Sequence, residues 1–251
     1  MSEGITATTD ARWLSGRRVL VTGAAGVLGR ALVGEADHRG AIVAASGRSP
    51  TIEDAALPEA AIRVAANLRD PEECRRLVHE AARLMGGIDI VVNNAATLVR
   101  KEFRQLELDD LEAAWQVNLR APAIIMQESF EYLRGAHMPA IVNLVSTAGV
   151  SGGIASVSAY GMSKAGLIVL TKAVAREYGA HGIRVFAVSP PTLASQLQGA
   201  LSDADRERVR ALNVLGVSAT PEEVARFTLL AATGLGGLVT GTTIDLTAIA
   251  Y

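Results

Sequence analysis

Tyr160 and Lys164 stand four residues apart in the segment Tyr160-Gly161-Met162-Ser163-Lys164. On a helix this spacing sends both side chains out of one face, one turn apart. A free tyrosine titrates at about 10 and is a weak base at neutrality, but a cation within about 4 to 6 Å can lower a neighbouring acid by roughly one to three units. Such a phenol can give a proton to a developing alkoxide or take one from an alcohol. The same spacing also arises by chance on solvated helix faces. Here, however, the 24 basic residues include only three lysines, Lys101, Lys164 and Lys172. Arginine is therefore the expected occupant of a merely solvated basic position. Ser146 follows an apolar run and adds a hydroxyl at a strand end, where such a group either meets a ligand or satisfies nearby backbone.

A second chemistry-bearing stretch reads Thr22-Gly23-Ala24-Ala25-Gly26-Val27-Leu28-Gly29-Arg30. It follows an apolar run directly and leads into a helical pattern. Small residues in this setting let the backbone approach a pyrophosphate, whose charge is met by helix N-terminal amides. Tight strand-to-helix turns also need glycine for purely structural reasons. Valine is a poor occupant of a positive-φ position, so Gly26 is expected to carry the unusual backbone and Val27 an ordinary one.

The elements that must position these residues alternate. Apolar runs rich in Val and Ile cover 18–22, 41–45, 88–93, 140–145 and 183–188, with weaker strands at 61–65 and 242–246. Their unbroken apolar character suits strands covered on both faces. Helical periods lie between them, at 72–85, 108–133 and about 158–180, and a further helix opens at Thr220-Pro221. The expected fold is a single α/β domain, a Rossmann-like doubly wound parallel sheet with helices on both faces. Residues 1–11 read as a loose tail and 12–251 as the domain. A substrate lid is expected around 190–217, with a helix-like piece at 203–212.

Composition narrows the partners. A net charge of −2 with both signs interspersed offers no basic stripe for nucleic acid. No apolar run approaches a membrane span. Cys74 is the only cysteine, which excludes an internal disulfide and a thiolate metal cluster, and its apolar-periodic setting favours a buried structural thiol. No metal site is expected, and the cytoplasm is the expected compartment.

The chain resembles the short-chain dehydrogenase/reductase family, in its branch of about 250 residues, from Arg17 onward. The resemblance is carried by the Thr-Gly turn, Asn93-Asn94-Ala95-Ala96, Asn118, Ser146, Tyr160 with Lys164, and Pro190. It implies an NAD(P)-dependent oxidoreductase acting on a ketone or secondary alcohol. Ser146 would hold the substrate oxygen, Tyr160 act as acid/base, Lys164 also bind the nicotinamide ribose, and Asn118 support a water relay. Thr147 is the alternative hydroxyl. The cofactor would be held by Gly23, Ala25, Gly26, Val27 and Leu28 at the pyrophosphate, Asn67 and Leu68 near the adenine, Asn94 and Ala95 beneath the adenosine, and Pro190 with Thr192 at the carboxamide. The glycine pattern departs from this branch, since Gly26-Val27 reverses the usual order. Pro191 replaces a glycine, and Ser195 is a further candidate hydroxyl.

At the end of the second strand the chain reads Ser46-Gly47-Arg48-Ser49, without the carboxylate that binds a ribose diol. Arg48 can hold a 2′-phosphate bidentately, with Ser46 or Ser49 assisting, so NADP is the preferred cofactor and NAD the alternative. The pocket is expected from Leu98, 150–154, Tyr160, Pro191 and the lid, mostly apolar or small. Two rivals are a catalytically silent dinucleotide sensor and a non-redox enzyme on the same fold. By family analogy the helices from Leu108 and Ser158 would pair copies into a homotetramer.

Overall fold

The computed structural model describes residues 12–191, 213–215 and 219–248. The expected tail, the body of the expected lid, Thr192 and Ser195 lie outside these residues.

Among the described residues, seven parallel strands form one sheet in the order β3-β2-β1-β4-β5-β6-β7. They are β1 (Arg18–Thr22), β2 (Ile42–Gly47), β3 (Ile62–Ala65), β4 (Ile90–Asn93), β5 (Ala140–Leu144), β6 (Arg184–Ser189) and β7 (Thr243–Asp245). Alternate residues of each strand feed opposite faces. Val19 and Val21 pack with α1 (Val27–His38) and α7 (Pro221–Ala231), whereas Leu20 packs with α2 (Pro71–Met85) and α4 (Ala121–Leu133). Both faces are covered, which accounts for the continuous apolar runs.

Local signals explain the helix ends. The Asp70 carboxylate accepts the Glu72 amide at 2.8 Å to open α2, and Gly86 closes it at φ 77°. Thr220 and Glu223 form a reciprocal capping box ahead of Pro221. The buried Arg184 guanidinium donates to the carbonyls of Ala231 and Ala232 at the end of α7, at 2.9 and 2.6 Å.

The expected helix over 108–133 is interrupted. It runs as α3 (Leu108–Trp115), a π-helical turn Gln116–Arg120, and then α4. One extra residue per turn there leaves the apolar pattern readable as a single helix. A short α5 (Ala148–Ser151) follows Ser146, and α6 (Ser158–Tyr178) carries Tyr160 and Lys164.

The chain runs outward from β1 to β3 and returns to β4 on the other side, so strand order reverses between β1 and β4. Ligands of open α/β sheets bind in the crevice at the carboxyl ends of such strands. Thr22 and Asn93 end these two strands.

Candidate active site

The glycine turn is locked to the segment after β4. The Thr22 hydroxyl accepts the amides of Asn94 and Ala95, each at 3.1 Å, and the Asn94 side chain donates to the carbonyls of Thr22 and Gly23 at 2.9 and 3.1 Å. A Cβ at Gly23 would lie 2.7 Å from the Ala95 Cα, and one at Gly29 would lie 2.1 Å from the Gly23 carbonyl. Gly23, at φ 65°, carries the left-handed backbone. Gly26 does not: it is the N-cap of α1 at φ −72°, ψ 168°. The expectation for Gly26 is thus overturned, because the strained corner falls where β1 ends and the chain must turn beneath Ala95. Val27 begins the helix, as expected for an ordinary conformation. The first turn of α1 has neither a side-chain cap nor an acidic residue. Its free amides, with Ala25 and Leu28 beside them, suit a phosphate.

At the ends of β2 and β3 a surface cavity of about 370 Å³ is lined by Arg48, Ser49, Asn67, Glu73, Arg76 and the chain at Ala65 and Ala66. Arg48 is exposed, and among the described residues no carboxylate lies within ion-pair distance of it. Ser49 donates to Glu53 at 2.7 Å. Asn67 accepts the Arg69 amide at 3.2 Å, and Leu68 beside it is buried. Glu73 accepts the Asn67 amide at 2.7 Å, and Arg76 donates to the Ala65 carbonyl at 2.6 Å. Sequence reasoning missed these last two. Their place on the exposed face of α2 was readable, but not that this face borders the cavity.

The fold brings Ser146, Tyr160, Lys164 and Asn118 together near the ends of β4 and β5. The Ser146 hydroxyl faces the Tyr160 phenol and favours its ionised form, and it accepts the Ala148 amide at 3.2 Å. Lys164 is 2% exposed, donates to the Leu144 carbonyl at 2.7 Å and lies 5.7 Å from the centre of the Tyr160 ring. Burial lowers the Lys164 ammonium to about 8. Burial also pushes the Tyr160 phenol up, partly offset by the bond from Ser146. This differs from the expectation that Lys164 lowers the phenol. The ammonium sits against the ring and a backbone carbonyl rather than at the hydroxyl, so Ser146 supplies the favourable contact.

Asn118 occupies the π-helical turn and is fully buried. It pairs with the Thr97 backbone in both directions, at 2.8 and 2.9 Å, and donates to the Ser163 hydroxyl at 2.9 Å. Ser163 in turn donates to the Tyr160 carbonyl at 2.7 Å. The segment after β4 is thereby tied to the first turn of α6. Ser163 was visible within the Tyr160–Lys164 segment but carried no role there. The Lys101 amide also donates to the Ser156 carbonyl at 3.1 Å, joining the two loops that flank the pocket. Pro190 and Pro191 follow β6 and are half-buried. Among the described residues no helix is long and apolar enough to cross a membrane, and no cluster of His, Cys, Asp or Glu has the arrangement of a metal site.

A family model described as "Enoyl-(Acyl carrier protein) reductase" matches residues 23–247. The 3-oxoacyl-[acyl-carrier-protein] reductase of Aquifex aeolicus is 32% identical over 240 residues, covering 93% of this chain and 96% of that protein. The L-rhamnose 1-dehydrogenase (NAD(P)(+)) of a Sphingomonas species is also 32% identical, over 91% of this chain and 93% of its own. Among solved structures, a short chain dehydrogenase from Burkholderia cenocepacia in complex with NADP superposes with a TM-score of 0.85 at 28% identity, covering 94% of this chain and 98% of the other. The fold, the order of the motifs and these similarities agree: the chain belongs to the short-chain dehydrogenase/reductase family and is an NAD(P)-dependent oxidoreductase of carbonyl and alcohol groups.

Proposed function

We propose that this protein interconverts a neutral, moderately apolar ketone and its secondary alcohol, with NADP(H) preferred over NAD(H) and Tyr160 moving the proton. The observation that carries this reading is the Tyr160 phenol facing Ser146 with the buried Lys164 against its ring. The bound nicotinamide supplies the hydride in reduction and accepts it in oxidation. In reduction Tyr160 gives its proton to the substrate oxygen while the Ser146 hydroxyl donates a hydrogen bond to the same oxygen, so the alkoxide never develops unpaired. In oxidation Tyr160 takes the alcohol proton. Ser146 opposes the burial that otherwise holds the phenol's proton, while Lys164, fixed on the Leu144 carbonyl, sits against the ring. Asn118 spends both amide protons on Thr97 and Ser163. A water relay beside it would therefore draw on its backbone, and we assign its side chain to holding the loop after β4.

For the cofactor, the turn at Gly23, Ala25, Gly26, Val27 and Leu28 would cradle the pyrophosphate, a fit supported by the missing Cβ space at Gly23 and Gly29. Asn94 and Ala95 would lie beneath the adenosine, Asn67 and Leu68 at the adenine, Lys164 at the nicotinamide ribose, and Pro190 with Thr192 at the carboxamide. Arg48 and Ser49 would take the 2′-phosphate. The preference for NADP(H) is supported by the exposed Arg48, which pairs with no carboxylate among the described residues, and by the NADP carried by the Burkholderia neighbour.

Turnover of a ketone panel by wild type and Tyr160→Phe tests the reaction. Loss of turnover with NADPH binding retained is expected, whereas NADPH binding with no turnover of any ketone by wild type would favour the silent sensor. The ratio of KM for NADH to KM for NADPH is expected to fall about tenfold or more in Arg48→Ala, the cost of one charge-assisted contact. An unchanged ratio removes Arg48 from recognition.

Exposed apolar side chains on α3 and α6, including Leu108, Trp115 and Val169, support pairing of copies into a homotetramer, which light scattering checks. The lone buried thiol of Cys74 suits the cytoplasm.

A further inference from the structure

Asn93, Asn143 and Thr171 are 2%, 0% and 1% exposed, and none of them belongs to the reacting group. Asn93 and Asn143 stand directly opposite in the β4–β5 register. The Asn93 amide donates to the Asn143 carbonyl oxygen at 2.8 Å, Asn143 donates to the Thr171 hydroxyl at 2.9 Å, and Thr171 passes its own proton to the Leu167 carbonyl at 2.7 Å. The chain has one direction and crosses β4, β5 and α6. Apolar residues of the same shape would fill this space at little or no cost in stability, whereas polar ones must keep every partner. Polar groups kept in such a place restrict how elements can slide past one another.

We infer that Asn143 and Thr171 are positioning residues that set how far α6 advances along β5, and hence whether Tyr160 meets Ser146. Thr171 lies seven residues after Lys164, two turns along the same face of α6. The two residues grip neighbouring points of β5, since Lys164 holds the Leu144 carbonyl while Thr171 takes the Asn143 amide. The grips differ in stiffness. Lysine reaches through four rotatable carbons and follows a shifted helix, whereas asparagine and threonine have no slack, so a slide comparable to the 1.5 Å rise of one residue breaks their bond. Ser146 follows Asn143 by three residues on the same strand end, and Tyr160 precedes Thr171 by eleven on the same helix. One short bond therefore fixes the relative height of donor and hydroxyl.

The inference rests on Tyr160 acting as the acid/base, and the test separates the two. Thr171→Val removes the hydroxyl at nearly constant shape, and Thr171→Ser restores it. With NADPH and the ketone that wild type reduces fastest, Thr171→Val is expected to lower kcat by about five- to a hundredfold, the range a displacement of about 1 Å can cost. KM and the NADPH dissociation constant should stay within about twofold, and Thr171→Ser should recover most of the loss. In a Tyr160→Phe background the valine should cost little more, because its effect runs through the phenol. Should the valine variant not fold, Thr171→Ala replaces it in the same comparison. Unchanged kcat in the folded variant, loss of cofactor affinity in step with kcat, failure of serine to rescue, or a full additional cost in the Tyr160→Phe background would each overturn the inference. Wild-type turnover by Tyr160→Phe itself would instead overturn the acid/base reading.

Discussion

The phosphate end and the chemical end of this crevice are built on opposite terms. At the first, the decisive features are atoms that are missing: Gly23 and Gly29 have no space for a Cβ, and the Thr22 hydroxyl and Asn94 side chain hold the turn by bonding backbone amides and carbonyls. At the second, the features are particular side-chain atoms, the Ser146 hydroxyl, the Tyr160 phenol, the Lys164 ammonium and the Asn118 amide. A site made of backbone shape tolerates a shuffled sequence as long as the crowded positions stay small. That explains how Val27 stands beside the turn without distorting it: it is the first residue of α1, clear of the corner at Gly23. A site made of named atoms has no such freedom.

The largest effect that tests this contrast is removal of one oxygen at the chemical end. Tyr160→Phe is expected to lower kcat by about 10²- to 10⁴-fold, the usual worth of a positioned acid or base. NADPH titration should show affinity within about twofold of wild type. Parallel loss of binding and turnover would mean that the two ends are not separable.

Next in size is a pair of changes at the phosphate end. Gly29→Ala drives a methyl group to 2.1 Å from the Gly23 carbonyl, so the turn must move, at a cost of about 1–3 kcal/mol and with weakened NADPH binding. Gly26→Ala places its methyl 3.3 Å from the same carbonyl on ordinary backbone, and stability should change by no more than about 0.5 kcal/mol. Thermal unfolding and NADPH titration of both proteins check the ranking. Equal penalties would show that glycine count, and not crowding, governs the turn.

The same contrast explains what could be read from the sequence. Strand and helix order was legible because both faces of the sheet are buried and the runs are apolar throughout, and the grouping of Ser146 with Tyr160 and Lys164 followed from motif order. The conformation of Gly23 was not, because its constraint is Ala95, seventy-two positions away and brought close only by the β1–β4 pairing. The π-helical turn at Asn118 was hidden because Val117 and Leu119 keep an apolar pattern through the extra residue. Arg76 carried no signal of its own, because only the fold places the Ala65 carbonyl beside it. The position of the Lys164 ammonium depended on a carbonyl twenty positions away, so spacing alone predicted a contact with the phenol that the fold gives to Leu144.

The smallest expected effect concerns pH, and it separates the two ends by whether they titrate. Burial lowers Lys164 from 10.5 in the unfolded chain to about 8. Above the folded value the native protein has released a proton that the unfolded chain still binds, so this group's contribution to stability rises with pH between about 8 and 10.5 and is flat below and above that window. Lys164→Met keeps the length of the side chain and removes the titration. The stability of wild type minus that of Lys164→Met should rise by about 2 kcal/mol from about pH 7 to about pH 9.5, measured by denaturant unfolding. Tyr160 is present in both proteins and cancels to first order in the difference. The corresponding difference for Gly29→Ala should be level with pH, since backbone crowding carries no proton. A level Lys164 difference would place its ammonium in contact with water, and a sloping Gly29 difference would show that the turn is coupled to a titrating group the contacts do not include.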